Sequence, residues 1–163
     1  MTDKDRFCNN ISRYESSMYA LAFSIVRNDA DASEVLSESI YRAYSSLNSL
    51  KNQQAFQSWV LQIVHNTAVE LVRKNSRYID LESVSEHQAP EPAVDVHTKL
   101  ALRNAVNSLD QPYRTVVTLF YYESLPVSQI ALITGAAPAA VRQQLSRARK
   151  QLRDFLKEDF ANA

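Results

Sequence analysis

Residues 125–152 read LPVSQIALITGAAPAAVRQQLSRARKQL and set the architecture of the C-terminal half. After Leu125-Pro126, the apolar residues at positions 130, 131 and 133 predict a short helix. The turn Thr134-Gly135-Ala136-Ala137 follows, and Pro138 suits the first turn of a longer helix. The expected core face of that helix consists of Val141, Leu145, Ala148, Leu152 and Phe155. A short helix, a tight turn with glycine and a longer helix together predict a helix-turn-helix.

The second of these helices carries cationic and hydrogen-bonding side chains between its apolar positions. In a helix-turn-helix, the N-terminal turns of this helix enter the major groove while lysine and arginine neutralise phosphates. A basic amphipathic helix is often only a solvated surface, but the preceding short helix and Gly135 favour DNA contact. The predicted DNA-binding residues here are Arg142, Gln143, Gln144, Ser146, Arg147, Arg149 and Lys150.

Glycine usage favours an all-α chain. Gly135 is the only glycine among 163 residues, although an average chain has glycine at roughly 7% of positions. Tight β-hairpins, a Rossmann turn and a P-loop all need glycine where the backbone turns sharply or approaches a phosphate. The structures that need little glycine are helices joined by short polar connections, so the composition favours an all-helical fold.

Cysteine and histidine usage argues against catalysis and metal binding. Cys8 is the single cysteine, so an intrachain disulfide and a thiol-rich metal site are excluded, which suits a reducing cytosol. His65, His87 and His97 show no ligand spacing. With no apolar leader and no run of about 20 apolar residues, we expect a cytoplasmic protein without enzyme activity, cofactor, metal or small-molecule substrate.

Charge is balanced overall but uneven along the chain. Lysine plus arginine equals aspartate plus glutamate at 18 each. The segment around Ala89-Pro90-Glu91-Pro92 is acidic and cannot continue a helix, because each proline lacks an amide donor. We therefore expect two small helical domains, residues 1–78 and 98–163, joined by a flexible acidic linker over residues 79–97.

The N-terminal half shows helical spacing three times. A first helix is predicted from Tyr14 to Arg27, and a second, capped by Asp29, has an apolar stripe that persists to Leu47-Asn48-Ser49. After the polar segment 51–54, a third run continues to Val72, with a basic end. The apolar spacing favours core positions for Trp59, Tyr41 and Tyr44. In the C-terminal half, a helix restarts near Leu100, and Asp110 is the expected cap of the helix that follows Pro112.

The chain resembles a known family along nearly its whole length. Residues 109–116 (LDQPYRTV), 122–125 (YESL) and 141–152 (VRQQLSRARKQL) are similar to region 4 of extracytoplasmic-function sigma factors, of the sigma-70 family, which recognises the −35 promoter element. Residues 28–35 (NDADASEV), Arg42-Ala43-Tyr44, Ser58-Trp59 and Arg73-Lys74 are similar to region 2 of the same family. The two halves match in the family's order.

The resemblance implies a sigma factor that binds core RNA polymerase and directs it to promoters. Region 2 would melt and recognise the −10 element through residues that match the family's base-capturing loop and DNA-facing helix: Lys51, Asn52, Gln53, Asn66, Glu70, Arg73, Lys74 and Arg77. The helix with Asp31, Glu34, Glu38 and Tyr41 would bind the clamp of the largest polymerase subunit, and region 4 the flap of the second-largest. The family also implies an inhibitory anti-sigma factor, often anchored in the membrane.

Two other functions are compatible with parts of the sequence. A helix-turn-helix regulator with an N-terminal sensory or dimerisation domain would explain the C-terminal half, and would bind a symmetric operator without polymerase. It would not explain the helix from Asn66 to Lys74 or the acidic linker. A protein that binds polymerase without DNA is disfavoured by the basic residues 142–150.

Overall fold

A computed structural model of the protein describes the backbone of residues 1–79 and 97–161, with side chains for residues 1–76 and 100–158. Within these ranges all regular elements are helical and no strand occurs. The chain divides into two compact units. The first contains α1 (Asp3–Val26), α2 (Asp29–Ser45) and α3 (Phe56–Ile79), and the second contains α4 (His97–Asn107), α5 (Tyr113–Val117), α7 (Pro138–Ala161) and residues 127–131 of α6 (Val127–Thr134). The expected all-α architecture with two helical domains is confirmed, while most of the expected linker lies outside the described residues.

Helix α1 begins well before the predicted start at Tyr14. The Thr2 hydroxyl accepts the Asp5 backbone N–H at 3.1 Å, and the Asp5 carboxylate accepts the Thr2 backbone N–H at 3.2 Å. These reciprocal bonds form a capping box, which satisfies two amide donors at the helix start. Phe7 is buried on this added part of the helix. The prediction was wrong because a mostly polar stretch concealed one buried apolar residue.

Helix α2 is capped by Asn28. The sequence had suggested Asp29 as the cap, so that prediction was wrong by one residue. The Asn28 side-chain oxygen accepts the Asp31 backbone N–H at 2.8 Å, and its amide nitrogen donates to the Asp31 carboxylate at 2.8 Å. Asp29 instead accepts a hydrogen bond from the Tyr19 hydroxyl. The α-helix ends at Ser45, and the predicted continuation to residue 49 is a separate 3₁₀ turn, Leu47–Ser49.

The three helices of the first unit pack against one another around a common core. Phe56, which follows a 3₁₀ turn at Gln53–Ala55, has its ring 6.2 Å from that of Phe7, 6.0 Å from Tyr14 and 5.6 Å from Trp59. Trp59 is half-buried at the edge of this aromatic cluster. Other fully buried residues include Met18, Leu21, Val35, Val60, Leu61 and Val64.

Tyr41 and Tyr44 do not lie in this core. Their exposed fractions are 69% and 51%, so the core positions suggested by their spacing were wrong. Only the ring of Tyr44 contacts an aromatic residue of the core, with its centroid 5.2 Å from that of Phe7. Both tyrosines lie beside the apolar stripe of α2, at positions of the helix that face the surface.

In the second unit, α5 continues into a π-helical turn, Thr118–Tyr122. The start of α5 is stabilised by Gln111, whose side-chain oxygen accepts the Thr115 backbone N–H at 3.1 Å. The predicted cap by Asp110 was therefore wrong. Arg114 is only 6% exposed, and its guanidinium donates to the Leu109 carbonyl at 2.7 Å. This buried hydrogen bond holds α5 against the end of the preceding segment.

The short helix, turn and long helix occur as predicted. Gly135 has a φ of 77°, the left-handed conformation that glycine adopts at least cost, and its N–H bonds to the Ala131 carbonyl at 2.9 Å. Helix α7 begins at Pro138 and buries Val141, Leu145, Ala148 and Leu152. Phe155 is 36% exposed, so its predicted core position was wrong, and Leu156 packs against the core cluster instead.

Candidate nucleic-acid and polymerase interfaces

Helix α7 presents a continuous cationic face. Arg142, Ser146, Arg149 and Arg153 recur at intervals of three or four residues, which places them on one side of the helix, and all are exposed. Lys150 and Lys157 border this face and are exposed too. Gln143 and Arg147 are exposed away from it, while Gln144 is half-buried. The cationic surface extends beyond the residues predicted from the sequence, because Arg153 lies on this face and Lys157 borders it.

Arg149 differs from the other cations of α7 because it contacts aromatic side chains. Its guanidinium carbon lies 5.8 Å from the ring centroid of Phe120 and 5.7 Å from that of Tyr121. Its Nε also donates to the Tyr121 hydroxyl at 2.5 Å. Arg149 therefore links α7 to the π-helical turn, and its predicted DNA contact stays a prediction.

We expect Arg149→Ala to lower the free energy of unfolding of the second unit by about 1–2 kcal/mol, through loss of the cation–π contacts and one hydrogen bond. Thermal unfolding by circular dichroism measures the effect, and Trp59 fluorescence identifies the transition of the first unit. Arg147→Ala removes an exposed arginine from the same helix and should change stability by less than about 0.5 kcal/mol. Equal effects of the two substitutions would contradict this assignment.

In the first unit, the predicted DNA-facing residues of α3 share one side of the helix. Asn66, Glu70, Arg73 and Lys74 follow one another at intervals of one, three or four residues and are exposed. Arg77 falls at the next interval in α3, but its side chain lies outside the described residues. Three cationic positions near the end of a long helix can neutralise phosphates.

The predicted base-capturing loop is exposed at Lys51, Asn52 and Gln53. Asn52 caps the following 3₁₀ turn, since its side-chain oxygen accepts the Gln54 backbone N–H at 3.0 Å. The Gln53 side chain accepts a long hydrogen bond, 3.5 Å, from Asn10 of α1. Hydrogen bonds of Asn52 and Gln53 therefore hold the loop at the start of this turn.

His65 lies beside Asn66 in α3 and is half-buried. Burial lowers the pKa of its imidazole, and the hydrogen bond with Asn66 offsets this only in part. The ring Nδ1 is buried and makes no hydrogen bond. The folded protein therefore favours the neutral ring.

This depressed pKa predicts a pH-dependent stability. The unfolded chain binds a proton at pH values where the folded protein does not, so His65 opposes folding below its unfolded pKa of about 6.5. The free energy of unfolding should fall as pH decreases from 7.5 to 5.5, and this fall should be smaller in His65→Gln. Urea titrations followed by Trp59 fluorescence test this, and an identical pH dependence in the two proteins would contradict it.

The residues predicted to bind polymerase form one face of α2. Asp31, Glu34, Glu38 and Tyr41 recur at intervals of three or four residues. Glu34, Glu38 and Tyr41 are exposed, whereas Asp31 is half-buried and bonded to Asn28. Glu34, Glu38 and Tyr41 are therefore available to a partner. Asp31 mainly stabilises the start of the helix.

A depression of about 580 Å³ lies between α2 and α3, which we call the α2–α3 groove. It is lined by Glu34, Val35, Ser37, Glu38, Arg42, Thr67, Glu70, Leu71 and Lys74. It brings carboxylates predicted to face polymerase next to Glu70, which was predicted to face DNA. Arg42, Ser37 and Thr67 were not predicted. Only the Glu38–Arg42 contact had a sequence signal, because opposite charges four residues apart can pair on a helix.

Among the residues with described side chains, no group of three histidine, cysteine, aspartate or glutamate residues is placed to hold a metal ion. Across the described helices, none has the length and apolar character needed to cross a membrane.

Comparison with known proteins identifies the two halves. The sigma-70 region 2 family matches residues 11–78, and the sigma-70 region 4 family matches residues 99–152. RNA polymerase sigma factor SigV of Bacillus subtilis is 30% identical over 161 residues, which cover 98% of this chain and 97% of SigV. The extracytoplasmic-function sigma factor SigW of the same organism is 25% identical, with 96% of this chain and 91% of SigW covered.

A solved structure has the same fold. The sigma factor RpoE of Bartonella quintana, crystallised with the anti-sigma factor NepR, superposes with a TM-score of 0.75 at 22% identity and covers 93% of this chain and 96% of its own. The helical fold, the order of the two matched regions and the full-length similarity to SigV agree with one another. The chain therefore belongs to the sigma-70 family of RNA polymerase sigma factors, in its extracytoplasmic-function group.

Proposed function

We propose that this protein binds core RNA polymerase and directs it to start transcription at specific promoters. The observation that carries the proposal is the match of region 2 and region 4, in that order, together with similarity to SigV over almost the whole of both chains. The domains would be residues 1–78 and 98–163, with residues 79–97 between them. A cytoplasmic location follows from the site of transcription.

The second unit would bind the −35 element. The N-terminal turns of α7 carry Arg142 and Gln143, both exposed, at the place where a helix-turn-helix contacts base edges. Arginine pairs with guanine and glutamine with adenine through two hydrogen bonds each. Ser146, Arg147 and Lys150 follow and would contact phosphates. Gln144 is half-buried, so it contributes to recognition less directly than Gln143.

The first unit would open the DNA and bind the −10 element. An unpaired base needs a polar pocket and nearby cationic or aromatic side chains. The exposed Lys51, Asn52 and Gln53 supply polar groups, and Asn66, Arg73 and Lys74 supply hydrogen bonds and charge along α3. This arrangement supports single-strand binding at the start of α3 and phosphate contacts near its end.

Two kinds of protein partner are proposed. The exposed Glu34, Glu38 and Tyr41 of α2 would bind the clamp of the largest polymerase subunit, and the second unit would bind the flap of the second-largest. An anti-sigma factor would inhibit the free protein, as the complex of the related RpoE with NepR suggests.

The test compares DNA binding with and without polymerase. Labelled protein is titrated with core polymerase, and promoter affinity is then measured for the free protein and for the assembled complex. We expect a stoichiometric complex and specific promoter binding only after assembly. Tight binding of a symmetric operator by the free protein, without association with polymerase, would instead establish a conventional regulator. That alternative is disfavoured by the region 2 match in the N-terminal half.

A further inference from the structure

Arg42 connects two helices in the α2–α3 groove. Its Nε donates to Glu38 of α2 at 3.0 Å, and its Nη1 donates to Glu70 of α3 at 2.8 Å. The same Nη1 lies 3.3 Å from the Thr67 hydroxyl, which is fixed by its own bond to the Ile63 carbonyl at 2.7 Å. A planar guanidinium with several donors suits this task, because it holds two carboxylates at a defined separation.

These ion pairs contribute little to folding. The side chains of Arg42, Glu38 and Glu70 are 40%, 48% and 59% exposed, and exposed pairs are weak because water screens them and the side chains lose entropy. Their arrangement nevertheless has a definite result. Two carboxylates from different helices are held side by side at the surface, within the groove that also contains the exposed Glu34.

The groove as a whole favours a cationic partner. Glu34, Glu38 and Glu70 carry one negative charge each, and Arg42 and Lys74 carry one positive charge each, which leaves a net charge of −1. Its lining also includes the apolar side chains of Val35 and Leu71. An arginine or lysine with an apolar stem can contact both parts of such a surface.

We propose that Arg42 is a positioning residue for polymerase binding, which holds Glu38 and Glu70 as one acidic pair directed at a cationic side chain of polymerase. The proposal rests on the proposed binding of α2 to polymerase. It assigns Glu70 to the polymerase-facing surface, although its place on α3 first suggested DNA. Arg42 acts through the two carboxylates and need not touch polymerase itself.

The experiment measures two quantities for the full-length protein: its affinity for core polymerase, and promoter opening at saturating concentrations of the assembled complex. The variants are Glu70→Gln, Arg42→Ala, the double variant, and the exchange Arg42→Glu with Glu70→Arg. Arg6→Ala is the matched control, since Arg6 is an exposed arginine of α1 paired with Asp3 at 3.8 Å. Urea unfolding confirms that each variant is folded.

We expect Glu70→Gln and Arg42→Ala each to weaken polymerase affinity by about 5–20-fold, with stability and promoter opening close to those of the wild type. The double variant should be little weaker than either single variant, because the two residues act together. The exchange should not restore affinity, because it places a cation at position 70, where a carboxylate is proposed to face the cationic side chain, and Arg6→Ala should have no effect. Unchanged polymerase affinity in Glu70→Gln, with or without loss of promoter opening, would overturn the proposal. Failure of the wild type to bind polymerase would instead refute the proposed function.

Discussion

Replacing Phe56 with alanine should lower the free energy of unfolding of the first unit by about 3–5 kcal/mol. Phe56 is 2% exposed and lies among aromatic rings from both α1 and α3, with Phe7, Tyr14 and Trp59 at 5.6–6.2 Å. Its removal loses apolar burial and leaves a cavity that the surrounding rings fill only in part. Because small domains are stable by only about 5–15 kcal/mol, this loss would remove a large share of the stability of the first unit.

Urea unfolding followed by tryptophan fluorescence measures this loss directly. Trp59 is the only tryptophan and belongs to the first unit, so the signal reports that unit alone. Tyr44→Ala is the matched control, since Tyr44 is 51% exposed and contacts only the edge of the aromatic cluster. Tyr44→Ala should lower the free energy of unfolding by at most about 1 kcal/mol. A similar loss in both variants would show that Phe56 is not the centre of this core.

Combined replacement of Arg142, Arg147 and Lys150 with alanine should reduce promoter affinity of the polymerase complex on the order of a hundredfold at low salt. All three side chains are exposed on the helix that would enter the major groove. Each phosphate contact releases about one counterion, so loss of the proposed contacts of Arg147 and Lys150 should make the slope of log affinity against log salt shallower by up to about two. Arg149 is left in place because it supports the packing of α7 against the π-helical turn.

The control for this variant removes the same number of charges elsewhere. Lys4, Arg6 and Arg13 are exposed cations of α1, so their replacement with alanine changes net charge equally. The control should leave the salt slope almost unchanged. If both triple variants give the wild-type slope, α7 does not contact phosphate in the complex.

The helical core was predictable because burial repeats at the helical period. Spacing alone indicated Val141, Leu145, Ala148 and Leu152 in α7, all of which are buried. The turn at Gly135 was predictable too, since only glycine adopts a positive φ without strain. These features depend on near neighbours in the chain.

The errors arose where tertiary contacts or competing local signals decide the outcome. Tyr41 and Tyr44 lie next to the apolar stripe of α2, and spacing does not reveal which of them meets another helix. The start of α1 did have a signal, because Thr2 and Asp5 have the spacing of a capping box. The cap of α2 was misplaced by one residue because Asn28 and Asp29 are both good capping residues.

In the candidate sites too, features set by spacing along one helix were predictable, and contacts between helices were not. The common face of Glu34 and Glu38 follows from their spacing on one helix. The contact of Arg42 with Glu70 and that of Arg149 with Tyr121 each join different helices, so no local pattern indicated them. Glu70 had been grouped with DNA-binding residues because it matches the family's DNA-facing helix, and Arg149 because it lies on the basic helix of the helix-turn-helix. Their contacts became apparent only in the fold.

The central claim is that this protein makes core RNA polymerase start transcription at defined sites. Run-off transcription over a library of promoter templates, with core polymerase in the presence and absence of the protein, tests it most directly. The account predicts discrete transcripts from a subset of templates that share a −10 and a −35 element, only when the protein is present. Binding of the protein to polymerase without any site-specific transcript from any template would contradict it.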